Sequence, residues 1–389
     1  MSAAFEPQDG QTWRPTWAEI DLEAVRQNAR TLVRLARAKG MDLIAVVKAD
    51  GYGHGAAECS RAALEEGAKG VAVATAEEGA RLRRAGIRGQ VLVMGAYVPG
   101  TFAAFVEHEL DVTVTSAEQA EALASESRAL LGSVPARQVA AHVKIDTGMC
   151  RLGVAPEEAS ALAGVVAGEP GLRLKGVYTH LATADEEDPA FTTRQLKQFD
   201  GALSVLRENG FEPEQVHALN SAGLLQHDPG RTNACRVGIA LYGLAPSRFL
   251  AGRAPLVPAL AFKTRVVAVK RVSEGATVSY GRMYRVERPT QLAALPVGYA
   301  DGFSRRLTGR AFVLIRGKRY PVVGAICMDQ AIVDVGDDPV APGDVAVLLG
   351  RMGDERITAD DWAQALGTIN YEVVCGISSR VPRVYLNGG

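Results

Sequence analysis

In the segment 44–55, IAVVKADGYGHG, an apolar run ends in Lys48, and Gly51, Tyr52, Gly53, His54 and Gly55 follow within seven residues. An ammonium at the end of a buried strand is a candidate for covalent chemistry. Desolvation lowers an amine's pKa and frees it as a nucleophile, so such a lysine is suited to forming a Schiff base. The glycines let backbone approach a bound group closely.

A lysine used this way needs elements that hold it in place, and the chain supplies a rhythm of them. Short β-branched runs recur: LIAVV before Lys48, then VAVAT (71–75), VLVMG (91–95), VTVTS (112–116), AHVKID (141–146), LKGVYTHL (174–181), VHALN (216–220) and RVGIALYG (236–243). Ala/Glu/Arg-rich segments with helical spacing, such as SAEQAEALASES, separate most of them. Eight strands alternating with helices predict an α/β fold with a closed (β/α)8 TIM-type barrel, with a doubly wound open sheet as the structural rival. In a barrel, chemistry gathers at the C-terminal ends of strands. Lys48, His180, Asn220 with Ser221, and Gly238 all stand at or just beyond the ends of their runs. From about Arg253 helical spacing nearly vanishes and extended runs take over, which predicts a second, mainly β domain. The expected division is residues 21–252 for the barrel and 253–389 for the β domain, joined by an N-terminal strand within about 1–20; Pro255 and Pro258 mark the junction.

Composition narrows the partners. With 43 Lys plus Arg against 44 Asp plus Glu there is no net field for nucleic acid or an anionic membrane, and a small neutral or zwitterionic ligand fits better. The five cysteines are scattered and form no CxxC pair, so neither a disulfide framework nor a metal site is expected. A reducing cytoplasm is the expected compartment. The N-terminal sequence has no basic flank leading into an apolar run, and no apolar stretch is long enough to span a bilayer.

The decapeptide VVKADGYGHG resembles the cofactor-lysine signature of the alanine racemases, enzymes that use pyridoxal 5′-phosphate on a barrel plus β-domain fold. Further segments resemble that family in the same order: HVKIDTGMCRLG (142–153), YTHLATAD (178–185), NSAG (220–223), RVGIALYG (236–243), VSYGRMY (278–284), PVGYADG (296–302), CMDQ (327–330) and INYEV (369–373). The matches cover both expected domains.

The resemblance implies a reaction and a set of roles. Racemisation removes the Cα proton of an amino acid on one face and returns one on the other, so two acid/base groups must flank a stabilised carbanion. By resemblance Lys48 binds the cofactor covalently and acts as base on one face, and Tyr280 is the base on the other. A tyrosine's ordinary pKa near 10 calls for help from a nearby cation, and Arg151 and His180 match that position. Lys144 matches a lysine that can be carbamylated and that orients the arginine. Arg236 resembles the arginine that donates to the pyridine nitrogen, where most enzymes using this cofactor place a carboxylate; an arginine leaves the ring unprotonated and suits racemisation better than transamination. Ser221, Gly238 and Ile239 match phosphate-binding positions, as do the hydroxyls of Tyr52 and Tyr371. His217 matches a histidine packed near the cofactor, and Asn220 precedes the phosphate-binding Ser221. Arg151, Met328, Tyr299 and Asp329 match substrate-binding and entrance positions. In the family the β domain of one subunit closes the other's site, so a homodimer is implied, with alanine as substrate.

Two departures stand out: Cys150 where glycine or asparagine is common, and Ala325 where an arginine is common. Three rivals remain open: a racemase for another small amino acid such as serine, a barrel-type decarboxylase, and a non-catalytic carrier of the cofactor. Arg236 and Tyr280 speak against the decarboxylase, and the β domain against the carrier.

Overall fold

A computed structural model describes residues 14–131 and 137–388. The chain divides into two compact units. One is Ala24–Val257; the other combines the segment ending at Glu23 with Pro258–Gly389.

The strand β1 (Thr16–Asp21) belongs to the second unit. Eight strands of the first unit follow: β2 (Asp42–Val46), β3 (Gly70–Val73), β4 (Gln90–Ala96), β5 (Asp111–Val114), β6 (Val139–Lys144), β7 (Leu172–Tyr178), β8 (Gln215–His217) and β9 (Ala234–Val237). Neighbours pair in parallel, and β9 returns to β2 to close the barrel. Both faces of such strands are covered, which is why they read as continuous apolar runs. Helices fill the crossovers with ordinary end chemistry. In Ala76–Arg84, for example, Thr75 accepts from the Glu78 N–H at 3.3 Å, acidic residues occupy the first turn and arginines the last.

The barrel's interior departs from the usual filling of branched apolar side chains. Polar groups meet across it from strands that are not neighbours: Gln90 with Gln215 (2.8 Å), Thr113 with Tyr178 (3.1 Å), His142 with His217 (3.1 Å). Since side chains alternate along a strand, Asp111 and Thr113, His142 and Lys144, Gly176 and Tyr178 form successive inward pairs. The run RVGIALYG is only partly a strand. β9 ends at Val237, and Ile239–Tyr242 is a 3-10 turn closed by Gly243 at φ 82°.

In the other unit follow β10 (Leu260–Arg265), β11 (Ala268–Val272), β12 (Thr277–Val278), β13 (Tyr284–Arg285), β14 (Thr290–Leu295), β15 (Phe312–Ile315), β16 (Lys318–Val323), β17 (Ala331–Gly336), β18 (Val345–Met352), β19 (Glu355–Ile357) and β20 (Arg383–Leu386). The main sheet runs β11-β14-β17-β16-β15-β18-β10-β1-β20, with β19 on β18. Among the described residues no helix is long and apolar enough to cross a membrane.

Candidate active site

Lys48 follows β2 after Val47 and opens a left-handed turn, with φ of 52° at Ala49, 51° at Asp50, 62° at Gly51 and 53° at Tyr52. A left-handed residue bearing a β-carbon costs roughly 1–2 kcal/mol, and such strain persists only where neighbours over-determine it. Here they do. Both oxygens of Glu78 accept from backbone, one from Ala49 N–H and the other from Ala74 N–H, each at 2.7 Å. Asp50 Oδ1 accepts from Ala56 N–H at 2.9 Å. His54 Nδ1 lies 3.1 Å from Gly51 O and 3.0 Å from Tyr52 O, so that nitrogen carries the ring's proton and clamps the turn. The His54 ring stacks on Tyr242 at 4.4 Å, and Tyr242 in turn donates to Val46 O at 3.0 Å. The turn is therefore tied back to the end of β2, the strand that leads into Lys48.

Tyr52 emerges from this turn beside Gly238. A β-carbon on Gly238 would stand 2.4 Å from the Tyr52 hydroxyl, so the space between them exists only because residue 238 is glycine. Ser221 Oγ accepts from Gly238 N–H at 3.0 Å, and Asn220 caps Ser221–Gln226 by accepting from Gly223 N–H at 2.9 Å. Hydroxyls and backbone N–H groups without a lysine cluster form a cradle of the kind that suits a phosphate group.

Arg236 lies in register with Ile44 of β2, and its guanidinium is buried. Nη1 donates to His217 Nδ1 (2.7 Å) and His217 O (3.0 Å); Nη2 donates to Thr179 O (2.7 Å) and Ala218 O (3.2 Å) and lies 3.4 Å from His180 Nδ1. Burial brings its pKa down to about 10, so it remains a cation at neutral pH. It shares the barrel mouth with other cations. Burial, with Arg236 and Arg151 nearby, brings the Lys144 ammonium down to about 8. Burial and the charges of Arg236, Arg151, Lys144 and Lys48 push His180 well below its ordinary range. His180 is thus neutral, not the cation expected from the sequence, and serves Arg236 as an acceptor. A concentration of positive charge at one barrel end favours anionic ligands such as a phosphate or a carboxylate.

Lys48, Tyr52, Lys144, Arg151, His180, His217, Asn220, Ser221, Arg236, Gly238 and Ile239 all belong to this unit. Tyr280, Tyr299, Met328, Asp329 and Tyr371 belong to the other. Tyr280 is not in a strand but in the turn between β12 and β13, where Ser279, Gly281 and Arg282 take φ of 64°, 71° and 52°, and it is 73% exposed. Tyr299 and Met328 are brought together: Tyr299 N–H donates to Cys327 O (3.0 Å) and Ala300 N–H to Met328 O (3.1 Å). Asp329 accepts from Arg380 at 2.8 Å. Tyr371 lies half-buried on the helix Asn370–Cys375. Ala325 is buried and lends its carbonyl to Ser279 Oγ at 2.6 Å.

Sequence reasoning passed over Asp111, His142, Tyr178 and Tyr242. Tyr178 stacks on His217 with ring centroids 4.7 Å apart and planes 6° from parallel, and it lies under Arg236 at 4.9 Å. The period-2 spacing of His142 with Lys144 was the available signal, since it puts both on one strand face.

Two family models match the chain: "Alanine racemase, N-terminal domain" over residues 20–246 and "Alanine racemase, C-terminal domain" over residues 259–385. The alanine racemase of Symbiobacterium thermophilum is 48% identical over 373 residues, covering 96% of this chain and 97% of that protein; that of Desulfovibrio desulfuricans is 44% identical over 375 residues, covering 96% and 98%. Among solved structures, alanine racemase from the D-cycloserine producer Streptomyces lavendulae superposes with a TM-score of 0.91 at 40% identity, covering 97% of this chain and 98% of that one. The Bacillus anthracis enzyme with bound L-Ala-P gives 0.91 at 38% identity, covering 98% and 97%.

Proposed function

The chain belongs to the alanine racemase family and is an amino acid racemase, and we propose that it interconverts L-alanine and D-alanine with pyridoxal 5′-phosphate, Lys48 and Tyr280 exchanging the Cα proton on opposite faces. The observation that carries this reading is the placement of Lys48, two residues past the end of β2, next to β9, the adjacent parallel strand that carries the buried Arg236.

Lys48 would hold the cofactor covalently, and Arg236 would donate to its ring nitrogen. Ser221, the backbone of Gly238 and Ile239, and the hydroxyls of Tyr52 and Tyr371 would hold its phosphate. When bound, the cofactor supplies an electron sink for the charge left at Cα. Arg236 has only donors to offer, so it would leave the ring nitrogen unprotonated, which would favour racemisation over transamination. Lys48 Nζ takes or returns the proton on one face, and the Tyr280 hydroxyl does so on the other. Arg151 binds the substrate carboxylate. Carbamylation of Lys144 would turn a partly neutral amine into an anion able to orient Arg151. Tyr299 and Tyr371 narrow the entrance and restrict it to small side chains, and Met328 and Asp329 help bind the substrate.

A homodimer belongs to the proposal. Tyr280, Met283, Met328 and Ile369 are large apolar or aromatic groups that are 73%, 66%, 52% and 60% exposed, which supports a face covered by a second copy that shares its sites. The compartment is proposed to be the cytoplasm, and the product D-alanine to serve as a peptidoglycan precursor.

The test is exchange of the Cα hydrogen of L- and D-alanine with solvent deuterium, alongside L-serine. The purified protein should be yellow, and borohydride should fix the cofactor to Lys48. Lys48→Ala should lose at least about 10²-fold in rate, the low end of what a positioned base contributes. Tyr280→Phe should impair exchange of one enantiomer more than the other. Equal loss on both faces would contradict the two-base assignment. Mixing inactive Lys48→Ala and Tyr280→Phe chains should restore activity; no recovery despite subunit exchange would contradict shared sites.

A further inference from the structure

Behind Arg236 the barrel interior holds a buried polar chain to which the proposed reaction assigns no role. Arg236 Nη1 lies 2.7 Å from His217 Nδ1, His217 Nε2 lies 3.1 Å from His142 Nδ1, and His142 Nε2 lies 3.3 Å from Asp111 Oδ2. A guanidinium has donors only, so His217 Nδ1 must accept, and the ring's proton sits on Nε2. His142 Nδ1 must then accept in its turn, which leaves its Nε2–H directed at Asp111. Every bond from Arg236 to Asp111 points the same way.

Both ends are secured. Asp111 Oδ2 also accepts from Lys175 Nζ at 2.7 Å and from Gln90 Nε2 at 2.8 Å, and Gln90 is tied to Gln215. Burial pushes the Asp111 carboxyl up, but His142 and Lys175 outweigh it and hold the group below its ordinary value, as an anion. Burial lowers both His142 and His217, whose neutral forms the chain requires. Gly176 makes room for the relay, because a β-carbon there would stand 2.3 Å from His142 Nδ1. Tyr178, stacked on His217, keeps that ring from turning.

We infer that Asp111 and His142 are positioning residues for Arg236: acting through His217, they fix one tautomer, and with it the guanidinium orientation that presents Nε–H to a ring nitrogen. The terminal nitrogens of Arg236 are spent on His217, Thr179 and Ala218, which assigns Nε–H to the ligand. Hydrogen bonds aligned in a chain polarise one another, so the anion at Asp111 strengthens the grip on Arg236 across the barrel. The inference rests on the cofactor reading above for its purpose, but not for its geometry.

The first measurement is independent of cofactor. Long-range 1H–15N spectra of protein labelled at histidine, assigned with His142 and His217 variants, should show both rings as Nε2–H tautomers from roughly pH 6 to 9. A His217 that is protonated on Nδ1 overturns the relay. The second uses the protein loaded with pyridoxal 5′-phosphate. His142→Asn keeps an acceptor oxygen near the Nδ1 position, and His142→Leu removes it. His142→Leu should retain cofactor roughly tenfold less tightly and shift the pH dependence of its visible absorption, as expected when a buried bond to a charged group is lost; His142→Asn should stay close to the parent. Asp111→Asn, which keeps the acceptor and removes the charge, should fall between them. Equal losses in the Leu and Asn variants, or an unshifted spectrum in all three, would refute the inference. If the parent takes up no cofactor, the function proposed above fails, while the tautomer measurement still decides the relay.

Discussion

The Tyr52 hydroxyl stands 2.4 Å from the place a β-carbon would occupy on Gly238, so two residues 186 positions apart share a single methyl-sized space. Tyr52 cannot easily withdraw, because its backbone is held in the left-handed turn clamped by His54. Gly238→Ala should therefore displace the hydroxyl and shift the N–H that donates to Ser221. The expected outcome is a loss of cofactor retention of roughly tenfold or more, equivalent to losing one charge-assisted hydrogen bond, with a smaller effect on melting temperature. Titration of the apo variant with pyridoxal 5′-phosphate checks it; parental affinity would show that the cradle lies elsewhere.

Lys144 gives stability a pH dependence of known sign. Its folded pKa of about 8 lies below the ordinary 10.5, so between these values the unfolded chain binds more protons and stability rises with pH. Below about 8 the cost of a buried ammonium is present in full. Thermal melts in CO2-free buffer should show a rise from pH 8 toward 10.5, and Lys144→Met should remove that slope and raise stability at neutral pH. An unchanged slope in the variant would assign it to another group. Added 13C-bicarbonate should give a carbamate carbon resonance in the parent that the variant lacks.

Cys150 stands at a position where the backbone has φ 53°. The local turn is organised by Asp146 Oδ1, which accepts from Gly148 N–H at 2.9 Å and from Cys150 N–H at 3.1 Å. Asparagine tolerates the left-handed region better than cysteine. Cys150→Asn should stabilise the protein by about 0.5–1 kcal/mol, read as a modest rise in melting temperature with racemisation retained. A fall would mean that the thiol makes a packing contribution larger than the backbone strain.

The barrel was legible because each of its strands is covered on both faces and so reads as an unbroken apolar run between helical segments. Lys48 was legible because glycines cluster after it. Two things were not. Four successive left-handed residues at 49–52 include Ala49 and Asp50, which carry no local signal for that conformation; it is imposed by Glu78 and His54. The neutral state of His180 depends first on burial and then on charges from Arg236, Arg151, Lys144 and Lys48, which are spread over 189 positions of sequence and meet only in the closed barrel. The same holds for the Asp111–His142–His217 relay, where each residue alone reads as an ordinary strand polar group. The turn at Tyr280 is set by Gly281 and its neighbours, whose left-handed backbone only the structure displays.

Asp301 is the residue on which the Tyr299 turn depends. Its side chain is fully buried, pairs with Arg14 through both oxygens, lies 3.7 Å from Arg380 and accepts from Gly298 N–H at 3.0 Å. Gly298 itself has no room for a side chain, since a β-carbon would stand 2.3 Å from both Cys327 O and Met328 O. The carboxylate thus fixes the turn carrying Tyr299 against the segment carrying Met328. Removing the carboxylate lets the partly exposed Arg14 rehydrate but leaves the buried Gly298 N–H without its acceptor, at a cost of roughly 1–3 kcal/mol. Asp301→Ala should therefore lower the melting temperature. Asp301→Asn, which can still accept from Gly298 N–H, should be milder and, on the proposed role of Tyr299 at the entrance, should raise KM for alanine more than it lowers kcat. A variant with normal KM and reduced kcat would place the Tyr299 turn in proton transfer and not at the entrance.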